Sequence, residues 1–233
     1  MKRVVIALSS LVAAAALTTG AAAAADVAAP KPAYKAAPVA AEWNPWMIRV
    51  RALGVITRNS GSVDTVPGSD LRTSDTIVPE LDISYFFTRN IAAELILGTT
   101  RHSVTGAGII DGVPVGKAWL LPPTLTLQYH FTDFGAFKPY VGAGVNYTWF
   151  YSQSAGNSTV SGLTVTRSNL HNAFGWALQA GFDYMIDQHW GLNVDVKKLF
   201  LRADWDGTIN GLPFTGKANL DPWLIGAGVT YKF

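Results

Sequence analysis

Apolar side chains alternate with small or polar ones through much of this 233-residue chain. In the segment 139–151, one face carries Trp149 and other large apolar residues, whereas the opposite face carries small or polar residues such as Gly142. The segments 174–186 and 223–233 repeat the pattern. Because a period of two places successive side chains on opposite faces, the pattern predicts β-strands.

Eight alternating segments are predicted, each bounded to within a few residues. They are 46–57, 76–88, 91–104, 118–131, 139–151, 170–186, 190–205 and 220–233. The connections between them are alternately long and short, beginning and ending with a long one. Both termini therefore lie at the end of the short turns, which in outer-membrane barrels is the periplasmic end.

The predicted strands are long, and aromatic residues lie near both of their ends. A strand that crosses a bilayer at a tilt needs about 9–11 residues and shows this aromatic pattern. A soluble β-sandwich also alternates, but its strands are nearer six residues and its outward face is polar. The pattern thus predicts an all-β, eight-stranded antiparallel up-and-down transmembrane β-barrel over 46–233.

The N-terminus has the features of an export signal. Lys2 and Arg3 precede an uncharged apolar run, and alanines precede Asp26. We expect a signal peptide over 1–25, cleaved there or one or two residues away; an uncleaved anchor helix is the alternative. The Ala-, Pro- and Lys-rich segment 26–45 is predicted to be a periplasmic linker, because it has little apolar surface to bury.

The charge balance and the lack of cysteine exclude several classes of function. The chain has 18 basic and 16 acidic residues, and loss of Lys2 and Arg3 with the signal peptide makes the two numbers equal. A neutral exported protein has no general attraction for nucleic acid. With no cysteine, disulfides and thiolate metal sites are excluded. We expect no cofactor and no metal.

The inward face of the predicted barrel carries many polar and charged residues of both signs. They are Arg49, Arg51, Glu80, Asp82, Glu94, Gln128, His130, Gln179, Asp183, Asn193, Asp195, Lys197 and Lys232. An eight-stranded barrel is just wide enough for its own side chains to fill. We therefore expect a paired, hydrogen-bonded interior in place of a wide aqueous pore, with either a structural or a functional role.

Three motifs resemble the OmpW family of small outer-membrane proteins. They are LLPPTLTLQYHF at 120–131, KPYVGAGVNYTWF at 138–150 and LDPWLIGAGVTYKF at 220–233, and NIAAEL at 90–95 is similar too. The resemblance implies an eight-stranded barrel in the outer membrane that assists passage of small hydrophobic molecules. It also implies contact with outer-membrane lipid, periplasmic chaperones and the outer-membrane assembly machinery, for which Tyr231 and Phe233 resemble the C-terminal signal.

Apolar side chains are thought to constrict the barrel in the family, and the matching inward position on strand three holds Ile96. On strand seven the family pattern suggests an aromatic residue, whereas this sequence has Lys197. The departure argues against a continuous apolar channel, and pairing of Lys197 with Glu94 or Asp195 is expected instead.

Two adjacent prolines, Pro122 and Pro123, fall early in the fourth strand. Two missing N–H donors weaken pairing with a neighbouring strand. The sequence therefore predicts a lateral exit there, through which a hydrophobic solute leaves the barrel for lipid. The alternative is a β-bulge that shapes the rim.

Other functions have weaker support in the sequence. His102 and His171 are predicted on non-adjacent strands and lack paired carboxylates or a nucleophile elbow, so no enzyme is expected. A structural outer-membrane protein, or a surface receptor or adhesin without transport, is the stronger alternative. In that case the long loops would contact a phage, a toxin or a host surface.

Overall fold

The computed structural model describes residues 43–57, 60–63 and 67–233. The predicted signal peptide and almost all of the predicted linker lie outside these residues. The described part contains fifteen β-strands. They are β1 (Trp46–Ile56), β2 (Ser60–Val63), β3 (Ser69–Thr73), β4 (Thr76–Phe86), β5 (Ile91–Gly98), β6 (Thr100–Gly108), β7 (Pro114–Leu121), β8 (Thr124–His130), β9 (Phe137–Ala155), β10 (Thr159–Val160), β11 (Leu163–Leu170), β12 (Ala173–Met185), β13 (Trp190–Ile209), β14 (Leu212–Asn219) and β15 (Trp223–Lys232).

Eight of these strands close into an antiparallel ring, as the alternation predicts. The order around the ring is β1, β4, β5, β8, β9, β12, β13 and β15, and β15 pairs back onto β1. Closure leaves no unpaired edge within the ring, which a sheet in lipid requires. The eight-stranded barrel is confirmed.

The two chain ends of the barrel meet beside the short turns. The backbone N–H of Phe233 donates to the carbonyl of Trp46 at 3.2 Å, and that of Lys232 donates to His189 at 2.8 Å. His189 lies in the tight turn between β12 and β13, so this is the end that the sequence assigns to the periplasm.

The outer wall is apolar along every strand of the ring. Trp176 is 69% exposed and Leu127 is 59% exposed, whereas the residues between such positions point inward and are buried. This face is the one that meets lipid. In the described part of the chain, no helix is long and apolar enough to cross a membrane.

The sequence suggested that the long connections are loops. In the described part of the chain they are extensions of the strands. Above the ring, β3, β6, β7 and the end of β9 form one upper sheet, and β2, β14, the end of β13, β11 and β10 form a second. The two sheets pack on each other through Leu71 and Val115 on one side and Trp205 and Phe214 on the other. The predicted third, fourth, sixth and eighth strands are each interrupted where ring and upper sheet meet.

Candidate functional site

The lower half of the barrel is filled by buried ion pairs, which we call the ionic floor. Arg49 is fully buried, and its Nε and Nη2 lie 3.0 and 2.6 Å from the two carboxylate oxygens of Asp183. Its Nη1 also pairs with Glu94 and donates to the hydroxyl of Ser84. The side chain therefore connects β1 to three other strands, β4, β5 and β12.

A second set of pairs lies toward the middle of the barrel. Arg51 Nε is 2.9 Å from Glu80 Oε1, and its Nη2 is 2.6 Å from Asp82 Oδ2. Lys197 Nζ lies 2.9 Å from Glu80 Oε1 and 2.8 Å from Asp195 Oδ1. Lys197 thus pairs with Asp195, one of the two alternatives expected, and also with Glu80, which was not expected.

Neutral side chains connect the two sets. Gln179 Nε2 donates to Glu94 Oε1 at 2.9 Å and to Asp195 Oδ2 at 2.8 Å, and its own oxygen accepts from Gln128 at 3.0 Å. The hydroxyl of Tyr140 donates to Asp195 at 2.8 Å. The floor is therefore a continuous network that an apolar solute cannot cross without separating buried ion pairs.

Above the floor the lumen is largely apolar, whereas the sequence led us to expect a paired, hydrogen-bonded interior with Ile96 at a constriction. The empty space between its walls is about 840 Å³ when the solvent at its open end is counted. We call it the apolar chamber. Its lining includes Leu53, Val55, Ile96, Leu199, Leu201 and Leu224, with Glu80 and Lys197 at its base.

The sequence contained the signal for the chamber. Leu53 and Val55 follow Arg49 and Arg51 at the same two-residue spacing on β1, so the inward face changes from charged to apolar along one strand. Taken alone, the polar inward positions suggested an interior filled by side chains.

The wall beside the chamber is interrupted at the two prolines. The last ladder pair of β5 with β8 joins Ile96 to Thr124, and the next pair, of β6 with β7, joins Thr100 to Leu120. Residues 97–99 and 121–123 have no ladder pairing with one another between these two points. Pro122 lines the chamber, so the interruption is next to the apolar space.

The carbonyl groups of the two prolines accept hydrogen bonds from strand β9. Asn146 Nδ2 donates to the carbonyls of Pro122 and Pro123 at 3.1 and 3.2 Å, and the backbone N–H of Tyr147 donates to Pro123 at 3.1 Å. The Thr99 hydroxyl lies 2.6 Å from that of Tyr151 at the upper edge of the interruption. The two proline carbonyls are therefore held by β9, on the other side of the strand from the interruption.

The remaining predicted residues lie at the periplasmic end. Lys232 is half-buried, with its ammonium 5.1 Å from the ring centroid of Phe86. The rings of Tyr231 and Phe233 meet edge to face at 4.9 Å, and Phe233 is 47% exposed on the outer wall. These two aromatics lie in the position of an aromatic belt.

The histidines are not gathered into one site. His102 Nδ1 lies 2.7 Å from the carbonyl oxygen of Ser74, and His171 Nε2 lies 2.6 Å from Asp206 Oδ1 on the second upper sheet. Hydrogen bonds from Asn169 and His171 hold the pKa of Asp206 below its ordinary value. Within the described ranges, no cluster of three or more His, Asp or Glu side chains suits a metal ion.

Comparison with known proteins places this barrel in a family. The profile of the OmpW family matches residues 46–233, which is the whole of the barrel. The chain belongs to the OmpW family. It is an outer-membrane protein, in agreement with the fold and with the names of its relatives.

Three OmpW relatives illustrate the similarity. The uncharacterized outer-membrane protein y4mB of Sinorhizobium fredii is 60% identical over 212 residues, covering 90% of this chain and 89% of that protein. The dibenzothiophene metabolism operon protein PahQ of Pseudomonas aeruginosa is 30% identical over 205 residues, covering 85% and 93%. The crystal structure of OprG from Pseudomonas aeruginosa has a TM-score of 0.71 at 28% identity, covering 81% and 95%.

Proposed function

We propose that this barrel helps small hydrophobic molecules to cross the outer membrane, and that they leave it sideways at the Pro122–Pro123 interruption. The observation that carries the proposal is the vertical order of the lumen. An apolar chamber lies directly above a buried ionic floor, and the wall beside the chamber lacks strand pairing.

The chamber supplies the binding step. Most of its lining is aliphatic, so affinity comes mainly from apolar area removed from water, about 25 cal/mol per Å². Such a site selects for apolarity and size and not for a particular functional group. The relative PahQ is named for a dibenzothiophene metabolism operon, and dibenzothiophene is an apolar aromatic molecule.

The floor supplies the direction. Passage straight to the periplasm would require separation of Arg51 or Lys197 from Glu80, at a cost of several kcal/mol for each buried ion that loses its partner. Movement through the proline interruption breaks no ladder hydrogen bond, because none joins 97–99 to 121–123. The sideways route into lipid is therefore the easier one for an apolar solute.

No catalytic step is part of the proposal. His102 Nδ1 lies against the carbonyl oxygen of Ser74 and His171 Nε2 lies against Asp206, so the two histidines have separate partners and do not form one site.

The chamber can be tested with a pair of matched glycine substitutions. A Cβ built on Gly98 would meet the carbonyl of Pro79 at 3.6 Å, and one built on Gly54 would meet the carbonyl of Ile225 at 3.6 Å. Gly98 lines the chamber, whereas Gly54 alternates with the inward residues Leu53 and Val55 and faces lipid. Gly98→Leu should abolish uptake of a hydrophobic fluorophore into proteoliposomes, and Gly54→Leu should not.

The exit is tested separately. Pro122→Val with Pro123→Thr restores two backbone donors and should lower initial uptake without loss of folding, judged by gel migration before and after heating. Loss of uptake in Gly98→Leu with normal uptake in the proline variant would place the exit elsewhere. Normal uptake in both would overturn the transport proposal and favour a structural or receptor role.

A further inference from the structure

A second part of the wall beside the chamber also lacks a backbone ladder. Strand β9 pairs with β12 only as far as Thr148 and Ala173, although β9 itself continues to Ala155. Strand β11, which follows next in this part of the wall, pairs with β13 and β10. Within the described residues no ladder joins β9 to β11. We call this boundary the β9–β11 seam.

Side chains replace the missing ladder along the seam. Gln153 Nε2 donates to the carbonyl of Leu170 at 2.8 Å, and the N–H of Leu170 donates to Gln153 Oε1 at 2.6 Å. Lower down, the N–H of Phe150 donates to Asn172 Oδ1 at 3.1 Å. One amide side chain thus imitates a strand, satisfying both backbone groups of Leu170.

A local irregularity in β9 accompanies this contact. Trp119 pairs with Tyr151 and Lys117 pairs with Ser154, so two residues of β9, Ser152 and Gln153, lie opposite one residue of β7. This is a β-bulge, and Ser152 has a φ of 46° in the left-handed region that favours glycine. Backbone strain of this kind persists where the surroundings enforce it, often at functional positions.

The seam leads into the chamber. Phe150 on one side of it and Leu170 on the other both line the apolar space. Above the chamber, Trp205 and Phe214 of the second upper sheet pack against Leu71 and Val115 of the first, which narrows the axial route. The seam offers a route from the side that bypasses this contact.

We propose that the β9–β11 seam is the entrance for hydrophobic solutes and that the Gln153 side chain is its gate. This inference rests on the proposed function and deepens it by assigning the entry step. Two hydrogen bonds to a rotatable side chain can break without disturbing the barrel ladder, because the β9–β12 pairs below and the β7–β9 pairs beside it stay intact. Gln153 acts on passage as a positioning residue and does not need to touch the solute.

The test uses a thiol probe inside the chamber. The chain has no cysteine, and a Cβ at Gly98 has no neighbour closer than 3.6 Å, so Gly98→Cys gives a single reporter. The folded protein, reconstituted in phosphatidylcholine vesicles, is labelled from outside with N-phenylmaleimide, and the labelling rate is measured by mass spectrometry. This rate reports access to the chamber and not transport.

Gln153→Ala in the reporter background should raise the labelling rate by about tenfold. The substitution removes the two hydrogen bonds to Leu170 and a longer one to Asn169 Oδ1 at 3.4 Å. Gln153→Glu keeps the acceptor for the N–H of Leu170 but loses the donor, so its rate should be intermediate. The control is Thr159→Val, which removes a hydroxyl contact of 2.7 Å with Thr164 on the neighbouring β10–β11 hairpin, away from the seam.

An unchanged rate in Gln153→Ala would overturn the inference, and so would an equal increase in Thr159→Val, which would indicate general loosening of the upper sheets. Thermal unfolding midpoints are measured for all variants, because a lowered midpoint would show that a faster labelling rate comes from loss of stability. If labelling responds to Gln153→Ala but uptake does not respond to Gly98→Leu, the gate is supported and the transport proposal fails. If uptake responds to Gly98→Leu but labelling does not respond to Gln153→Ala, the transport proposal is supported and the gate fails.

Discussion

We expect Arg49→Met to be among the most destabilising single substitutions in the barrel. The side chain is fully buried and pairs with Asp183 through two hydrogen bonds and with Glu94 through a third. Methionine fills similar space but leaves both carboxylates without this cation. Asp183 retains only the neutral donors Thr230, at 2.6 Å, and Asn193, at 3.0 Å.

The size of the effect follows from the charges around it. Among the described buried residues, five carboxylates (Glu80, Asp82, Glu94, Asp183 and Asp195) face three cations (Arg49, Arg51 and Lys197). Loss of Arg49 increases an existing excess of negative charge. Breaking one buried pair by removal of one partner costs about 3–5 kcal/mol. Asp183 is left without a cation, and Glu94 keeps only the more distant Arg51, whose Nη2 lies 3.8 Å from Oε1. We therefore expect a loss within this range, about 4 kcal/mol.

Equilibrium unfolding by urea in phospholipid vesicles, followed by tryptophan fluorescence, measures this loss. Arg89→Met is the matched control, because Arg89 is exposed in the turn between β4 and β5 and should change stability by less than about 0.5 kcal/mol. Adding Asp183→Asn to Arg49→Met should restore about 1.5–3 kcal/mol, since one stranded charge is removed. A loss below about 1 kcal/mol for Arg49→Met would refute the view that the floor depends on these ion pairs.

Two further predictions concern the wall and the upper sheets. Val194 is 38% exposed on the lipid face and Asp195 is fully buried, so Val194→Arg should cost about 2–4 kcal/mol in the same unfolding assay. Asp195→Asn should cost less, because Lys197 keeps its contact with Glu80; equal losses would mean that the assignment of faces on β13 is wrong. The pKa of Asp206 is lowered by hydrogen bonds from Asn169 and His171, so its stabilising contribution is present above the ordinary carboxyl pKa and is lost as pH falls through the folded value. The melting temperature of the wild type should therefore fall more steeply than that of Asp206→Asn below about pH 4, and parallel pH profiles would contradict this.

Much of the fold was predictable because the alternation of side chains along a β-strand shows which face is buried. The two-residue period assigns Val194 to lipid and Asp195 to the lumen without any knowledge of the neighbouring strands, and the structure agrees. The eight strands of the ring, their antiparallel order and the meeting of both barrel ends beside the short turns follow from segment length and alternating connections. The two prolines identified the wall interruption, since a residue without N–H cannot complete a ladder.

The contacts across the lumen could not be read in the same way. Arg49 and Asp183 are 134 positions apart, and Lys197 and Glu80 are 117 positions apart. Which inward residues share a level depends on the stagger between strands when the ring closes, a property of all eight pairings together. For that reason the sequence predicted Asp195 but not Glu80 as a partner of Lys197. It predicted a polar interior but not the apolar chamber above it.

The Gln153 bridge was the feature least predictable from the sequence. From the sequence, Gln153 is one polar residue in a segment expected to be a loop. Its role requires the bulge at Ser152 and the end of the β9–β12 ladder to coincide beside Leu170. Period and length are local properties of the chain, so they were enough to predict the strands, their faces and the surrounding membrane. Only the closed barrel decided which side chains meet, where the lumen becomes apolar and where the wall lacks a ladder, because these depend on register between strands distant in the chain.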